Sequence, residues 1–272
     1  MRPARPPARR RLANRPITAL LLPWLLPAGA LALWVWLGRA GLVPEYLLPP
    51  PGQVLASAAD YILAPPGSAP FAGRFLDDAL ASLGRVAGGF GLAALLGLPL
   101  GLLSGRLSFM RHLLDTFING LRAVPGIAWL PLALAWFGIG LPTTVFLVAL
   151  AAFFPIYLGA AAGARQVNPL LPRAGAMLGL GRTRLIFTVL IPAAMPHVVT
   201  GLRLGLGIAF AYLVLGELTG VPDGLGAVIM DARMLGRVDI IIMGILLIAL
   251  IGRLCDLAMM WGLKLFKSAR RR

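Results

Sequence analysis

PRAGAMLGLGRTRLIFTVLIPAAMP, residues 172–196, decides how this chain is organised. It is a polar island between two long apolar runs, and it carries Arg173, Arg182 and Arg184 with no acid. Gly179 and Gly181 divide it into two short halves. In the second half Leu185, Ile186, Val189 and Leu190 recur at helical spacing, so one face is apolar and the other basic. Thr183 stands where a cap for that second helix is expected, and Pro192 and Pro196 stand where the helix is expected to stop. A plain loop needs neither periodicity nor caps. The pattern implies a helix–glycine turn–helix knob set between two membrane spans.

The apolar runs on either side set the class. With 59% hydrophobic residues and a mean hydropathy of +0.86, 272 residues are too apolar for a soluble domain. The 33 glycines suit helices packed through small residues. Spans are expected at about 79–103, 118–139, 143–163, 197–217 and 240–263, with a tight turn at 140–142. Residues 1–16 form a basic, proline-rich tail, and 17–38 a first transmembrane anchor. A cleaved signal peptide is the alternative there, but the charge-free run at 17–37 is longer than a usual signal core. Residues 39–78 are a mixed segment containing a short surface helix, 221–239 a loop of mixed charge, and 264–272 a second basic tail.

Charge placement orients the whole. Six spans put both tails, residues 105–116 and residues 163–196 on one side, with 17 of the 25 basic residues. The other side receives Arg39, Arg74, Arg233, Arg237 and most of the acids. The positive-inside rule then expects both termini, and the knob, in the cytoplasm. The net charge of +15 does not imply nucleic acid, since the charges lie at the ends of apolar runs and form no single face. Cys255 is the sole cysteine, so neither an internal disulfide nor a cysteine metal cluster is available.

Within the knob, Arg173-Ala174-Gly175 is followed four residues later by Gly179, then by Val189-Leu190-Ile191-Pro192. That spacing resembles the "EAA" loop of bacterial ABC importer permeases, in the family handling nitrate, sulfonates and taurine. Residues 82–105, 122–140 and 193–210 are similar to segments of the same family, so the likeness runs from about Leu48 to Leu263. The resemblance implies an all-α polytopic membrane protein with six transmembrane helices, the type I importer permease fold, and a five-helix core at 79–263. It implies a coupling loop at 164–196 carrying Arg173, Ala174, Gly175, Gly179, Arg182, Val189, Ile191 and Pro192. It also implies separate ABC ATPase subunits holding ATP and Mg, a periplasmic substrate-binding protein, a second permease copy, and a home in the bacterial inner membrane. The chain has no GxxxxGK[ST] phosphate loop, in keeping with an ATP site on another subunit. Arg173 stands where the family carries an acid, so that residue's usual contacts are absent or reversed.

Candidate pathway residues are the polar groups inside or beside the spans: Arg85, Asn119, Arg122, Thr200, Arg203, Tyr212 and Glu217. A charge at the bilayer centre costs about 2.5–3.5 kcal/mol on insertion scales. For the arginines the plainer account is snorkelling to headgroups or pairing with backbone carbonyls. For Asn119, Thr200 and Tyr212 it is interhelical hydrogen bonding. Glu217 reads as a structural partner, a gate or a wetted loop residue. Arg253 and Asp256, three apart, are expected to pair. No nucleophile–base pair or metal cluster marks an enzyme. A self-sufficient secondary transporter is the competing class, weakened by the lack of a buried acid pair and by the knob itself.

Overall fold

A computed structural model describes the backbone of residues 17–269, the side chains at 17–21, 23, 182 and 265–269 standing outside the description. The basic tail at 1–16 and residues 270–272 therefore lie outside the described residues. All regular elements among the described residues are helical. In chain order they are α1 Ile17–Arg39, α2 Pro51–Leu63, α3 Phe75–Arg106, α4 Ser108–Ala123, a 3-10 turn Gly126–Trp129, α5 Leu130–Phe137 and α6 Leu141–Gln166. Then come α7 Leu170–Met177, α8 Arg182–Leu185, a π-turn Ile186–Leu190, α9 Ile191–Glu217, α10 Leu225–Met234 and α11 Val238–Ala269.

Among the described residues four helices are long and apolar enough to cross a membrane: Phe75–Arg106, Leu141–Gln166, Thr183–Glu217 and Val238–Lys264. The pair Ser108–Ala123 and Gly126–Phe137 supplies a fifth candidate, bent by 87°. A straight span at 118–139 is thus corrected. Pro125 lacks a backbone N–H and pushes Val124 into an extended conformation (φ −73°, ψ 121°), which breaks the helix there. Residues 105–116, expected as a loop, instead end α3 and open α4, with only Leu107 between the two helices.

α6 runs through the centre, with α3 on one side and α9 on the other. Apolar helices in lipid gain little by hiding apolar area from one another, so close van der Waals packing has to hold them. Small residues allow it. A Cβ on Gly105 of α3 would lie 2.5 Å from the Ala161 carbonyl oxygen, and one on Gly159 of α6 would lie 2.7 Å from the Gly201 Cα of α9. Ala152, Ile156 and Ala160 fill the seam and are fully buried. α1 has the length expected of the first anchor, yet its described leucines at 22, 25, 26, 31 and 33 stay exposed. The Trp34 indole near its end donates a hydrogen bond to the Pro49 carbonyl (3.1 Å).

Two further expectations change. Pro192 and Pro196 do not stop a helix: the π-turn at Ile186–Leu190 widens the coil just ahead of Pro192, and α9 continues through Pro196. The short surface helix expected in 39–78 is α2, which leaves Leu55 and Leu63 exposed and buries Val54 and Tyr61. Tyr61 donates to Asp78 of α3 (2.9 Å), and burial followed by the Asp78 charge holds its phenol well above the ordinary tyrosine range. The loop at 221–239 contains α10, folded back against α3, α9 and α11.

Candidate functional site

The knob is built by backbone rules acting within a dozen residues. α7 ends at Gly179, whose φ of +77° suits a residue without a Cβ. The Leu180 N–H donates back to the Gly175 carbonyl (3.1 Å) and the Gly179 N–H to the Ala176 carbonyl (3.0 Å). These two bonds form a Schellman cap, and Leu180 lies against Gly175 as the motif's apolar contact. α8 then starts from Gly181, whose carbonyl accepts the first helical bond from Leu185 (2.9 Å). Thr183 is therefore inside α8 and is not its cap, which corrects the expectation.

Pro172 and Gly175 are buried beneath the knob. Its outer surface presents Met177 and Leu178, 90% and 83% exposed, together with Arg173, Ala174 and Arg184. Arg173 and Arg184 have no ion pair among the described residues, and the side chain of Arg182 lies outside the description. Val189 is half-buried, Leu190 is buried, and Ile191 and Pro192 carry the chain into α9. Thr183 to Glu217 thus forms one continuous helical rod from the knob through the membrane. Beside its base, Asp115 of α4 accepts hydrogen bonds from Ser104 of α3 (2.6 Å) and Tyr157 of α6 (2.6 Å) and pairs with Arg165 (2.9 Å).

At the far end of α9 a second cluster closes the bundle. Glu217 is fully buried and pairs with Arg85 of α3 (2.7 Å). It also accepts from Ser82 (2.7 Å) and from the Gly226 N–H (2.7 Å). Arg85 reaches further to the Asp223 carboxylate and to the Asp223 carbonyl (2.9 Å). Asp78 accepts the Gly224 N–H (2.9 Å), and the Ser82 hydroxyl accepts the Leu225 N–H (2.9 Å). Three otherwise orphaned N–H groups at the start of α10 are thereby satisfied, with carboxylates at the positive end of the helix dipole. Arg85 and Glu217 consequently meet each other, and neither snorkels. Sequence gave no hint of Asp78, Ser82 and Asp223 as their partners.

The remaining candidates divide between two cavities that flank α9. Thr200 and Arg203 line one of about 530 Å³ between α9 and α11. There Arg203 grips Asp256 through Nε (2.8 Å) and Nη2 (2.9 Å), while Arg253 makes the expected pair with the same carboxylate (2.9 Å). Arg122 and Tyr212 line the other, of about 300 Å³, at the break after α4. Asn119 is exposed on α4 one turn before Arg122. Among the described residues no group of three or more His, Cys, Asp or Glu is placed to hold a metal.

Comparison with known proteins matches residues 97–272 to the family model described as "Binding-protein-dependent transport system inner membrane component". The chain is 36% identical over 234 residues to the taurine transport system permease protein TauC of Escherichia coli, covering 84% of this chain and 82% of that protein. It is 35% identical over 219 residues to the nitrate import permease protein NrtB of Synechocystis, covering 77% and 76%. Against the bicarbonate transport system permease protein CmpB of Synechococcus elongatus, identity is 32% over 184 residues, covering 67% and 66%.

Proposed function

The chain belongs to the family of binding-protein-dependent transport system inner membrane components, and on that premise we propose that it moves a small oxyanion as the permease subunit of an ATP-driven importer. It is a multi-pass inner-membrane protein with the all-helical fold of a type I permease. The relatives above are named for taurine, nitrate and bicarbonate, all small oxyanions or carriers of one. A sulfonate or similar oxyanion is accordingly the proposed cargo. Specificity beyond charge is set by a periplasmic binding protein that delivers it.

One observation carries the coupling. The outward-facing Met177 and Leu178 sit on a knob whose second half is continuous with the α9 rod. An ATPase that grips the knob therefore grips a lever crossing the membrane. ATP and Mg bind on that partner. When two ATPases close, the knobs of two permease copies move together and tilt the rods between inward- and outward-open packing, a rigid-body switch. Both termini and the knob are cytoplasmic in this scheme, and the α10 end is periplasmic.

The test is to recover the tagged chain from native membranes and to measure uptake in a strain that lacks it. A protein bearing a GxxxxGK[ST] loop should come down with the chain, and uptake of labelled taurine, nitrate or bicarbonate should fall on deletion. Reporter fusions at Gly67 should read as periplasmic, and at Arg173 as cytoplasmic. Unchanged uptake of all three anions together with no ATPase partner refutes the proposal.

A further inference from the structure

Arginines well inside the spans are neutralised by carboxylates with one exception among the described residues. Arg85 bonds Glu217 and Asp223, and Arg203 and Arg253 bond Asp256. Arg122 has no hydrogen bond or ion pair among the described residues. It stands exposed in the last turn of α4, directly before the 87° bend that joins Ser108–Ala123 to Gly126–Phe137. An unpaired cation at the break of a candidate span is stable only where water or a mobile counter-ion reaches it.

The break at Pro125 opens such a place. The cavity of about 300 Å³ takes Arg122 and Gly126 from one side, Phe154 and Pro155 from α6, and Ile208 and Tyr212 from α9. Tyr212 is laid directly on Gly126, since a Cβ at position 126 would overlap its hydroxyl. That hydroxyl, like Arg122, has no hydrogen-bond partner among the described residues. One guanidinium fork and one phenolic donor thus face a space that is otherwise apolar and offers no carboxylate. Low-dielectric walls strengthen the pull of the guanidinium on an anion. The neighbouring cavity lacks this property, because Asp256 already occupies Arg203.

We infer that the cavity at the α4 break is the site where the permease itself holds the oxyanion in transit, with Arg122 as its charged ligand and Tyr212 as its second donor. Gly126 is the positioning residue that leaves room for the Tyr212 hydroxyl. The inference rests on the importer reading and adds to it a selectivity site within this chain, separate from the binding protein.

The experiment uses cells producing the chain with its ATPase and binding protein, and labelled taurine, nitrate and bicarbonate as probes. Charged hydrogen bonds are strong enough that Arg122→Gln should lower uptake of the carried anion by about ten-fold or more, with ATPase association and membrane level unchanged. Arg122→Lys should retain more uptake than Arg122→Gln, and Tyr212→Phe should lose about three-fold or more. Wild-type uptake with unchanged anion preference in both Arg122→Gln and Tyr212→Phe overturns the site and leaves the importer reading intact. A parent complex that imports none of the three anions defeats the importer reading, and the site with it. If Arg122→Gln fails to reach the membrane, Tyr212→Phe decides alone, a wild-type rate overturning the site.

Discussion

Around the start of α10, Arg85 pairs with the buried Glu217 and with the half-exposed Asp223, whereas on the knob Arg173 and Arg184 face outward and have no ion pair among the described residues. Both regions sit at an end of the α9 rod, and both are polar breaks between apolar runs. The first closes on itself: its carboxylates accept from backbone N–H groups, a hydroxyl and a guanidinium. The second satisfies only its own backbone, through the Gly179 turn, and leaves its side chains on offer. A buried charged cluster can stand only when its partners are internal. An exposed one can remain open for a partner that arrives from outside. On this contrast the α10 end is an internal joint, and the knob is the face on which the proposed ATPase would dock.

The comparison breaks most readily at Glu217. Truncating Glu217 leaves the buried Arg85 with the half-exposed Asp223 alone and removes the acceptor of the Gly226 N–H, so Glu217→Ala should destabilise the chain by about 3–5 kcal/mol. Thermal unfolding of the detergent-solubilised protein measures it. The double change Arg85→Met with Glu217→Leu should recover much of the loss, because no buried charge is then left unpaired and the half-exposed Asp223 is met by water. Little loss in Glu217→Ala would mean that the joint is not an internal closure at all.

A smaller effect is expected at Gly179, where no atom lies within 4 Å of an added Cβ but φ is +77°. The penalty for Gly179→Val is purely conformational, about 1–2 kcal/mol, and confined to the knob. Unfolding of the spans should barely change, while ATPase co-purification and uptake fall. Gly179→Asn, which tolerates this backbone region, should keep most of both. Equal behaviour of the two variants would separate the knob's function from its turn geometry.

The smallest effect on stability belongs to Leu178→Asp. At 83% exposure the side chain buries little, so the change in stability should stay within about 0.5 kcal/mol. Loss of ATPase association without loss of stability is the expected outcome, and it sharpens the contrast with Glu217. Normal association in this variant would move the docking surface elsewhere.

Legibility follows the same division. The knob could be read almost whole, since Gly179, the α7 and α8 periods and the motif spacing are settled by neighbours within a few residues. The errors there were local competitions. Gly181 took the cap assigned to Thr183, and the π-turn absorbed Pro192 where a stop was expected. In the pathway set the residues were visible as polar groups in apolar runs, but their fates were not. Arg85, Arg122 and Arg203 look alike in sequence. One is closed into a network, one is held by Asp256, and one stands free beside a cavity.

By itself, the sequence determined that this chain is a helical membrane protein, where most of its spans fall, and that a glycine-turned knob interrupts them. Hydrophobic period, proline and glycine chemistry and charge placement act over a turn or two of chain, and so can be read from neighbours alone. Only the tertiary structure decided which charges neutralise which. Arg85 and Glu217 are 132 positions apart, and Arg203 and Asp256 are 53 apart. No local rule couples residues at such separations. Their meeting depends on how closely the glycine-lined faces of α3, α6 and α9 let three helices approach, and on the fold of α10 back onto them.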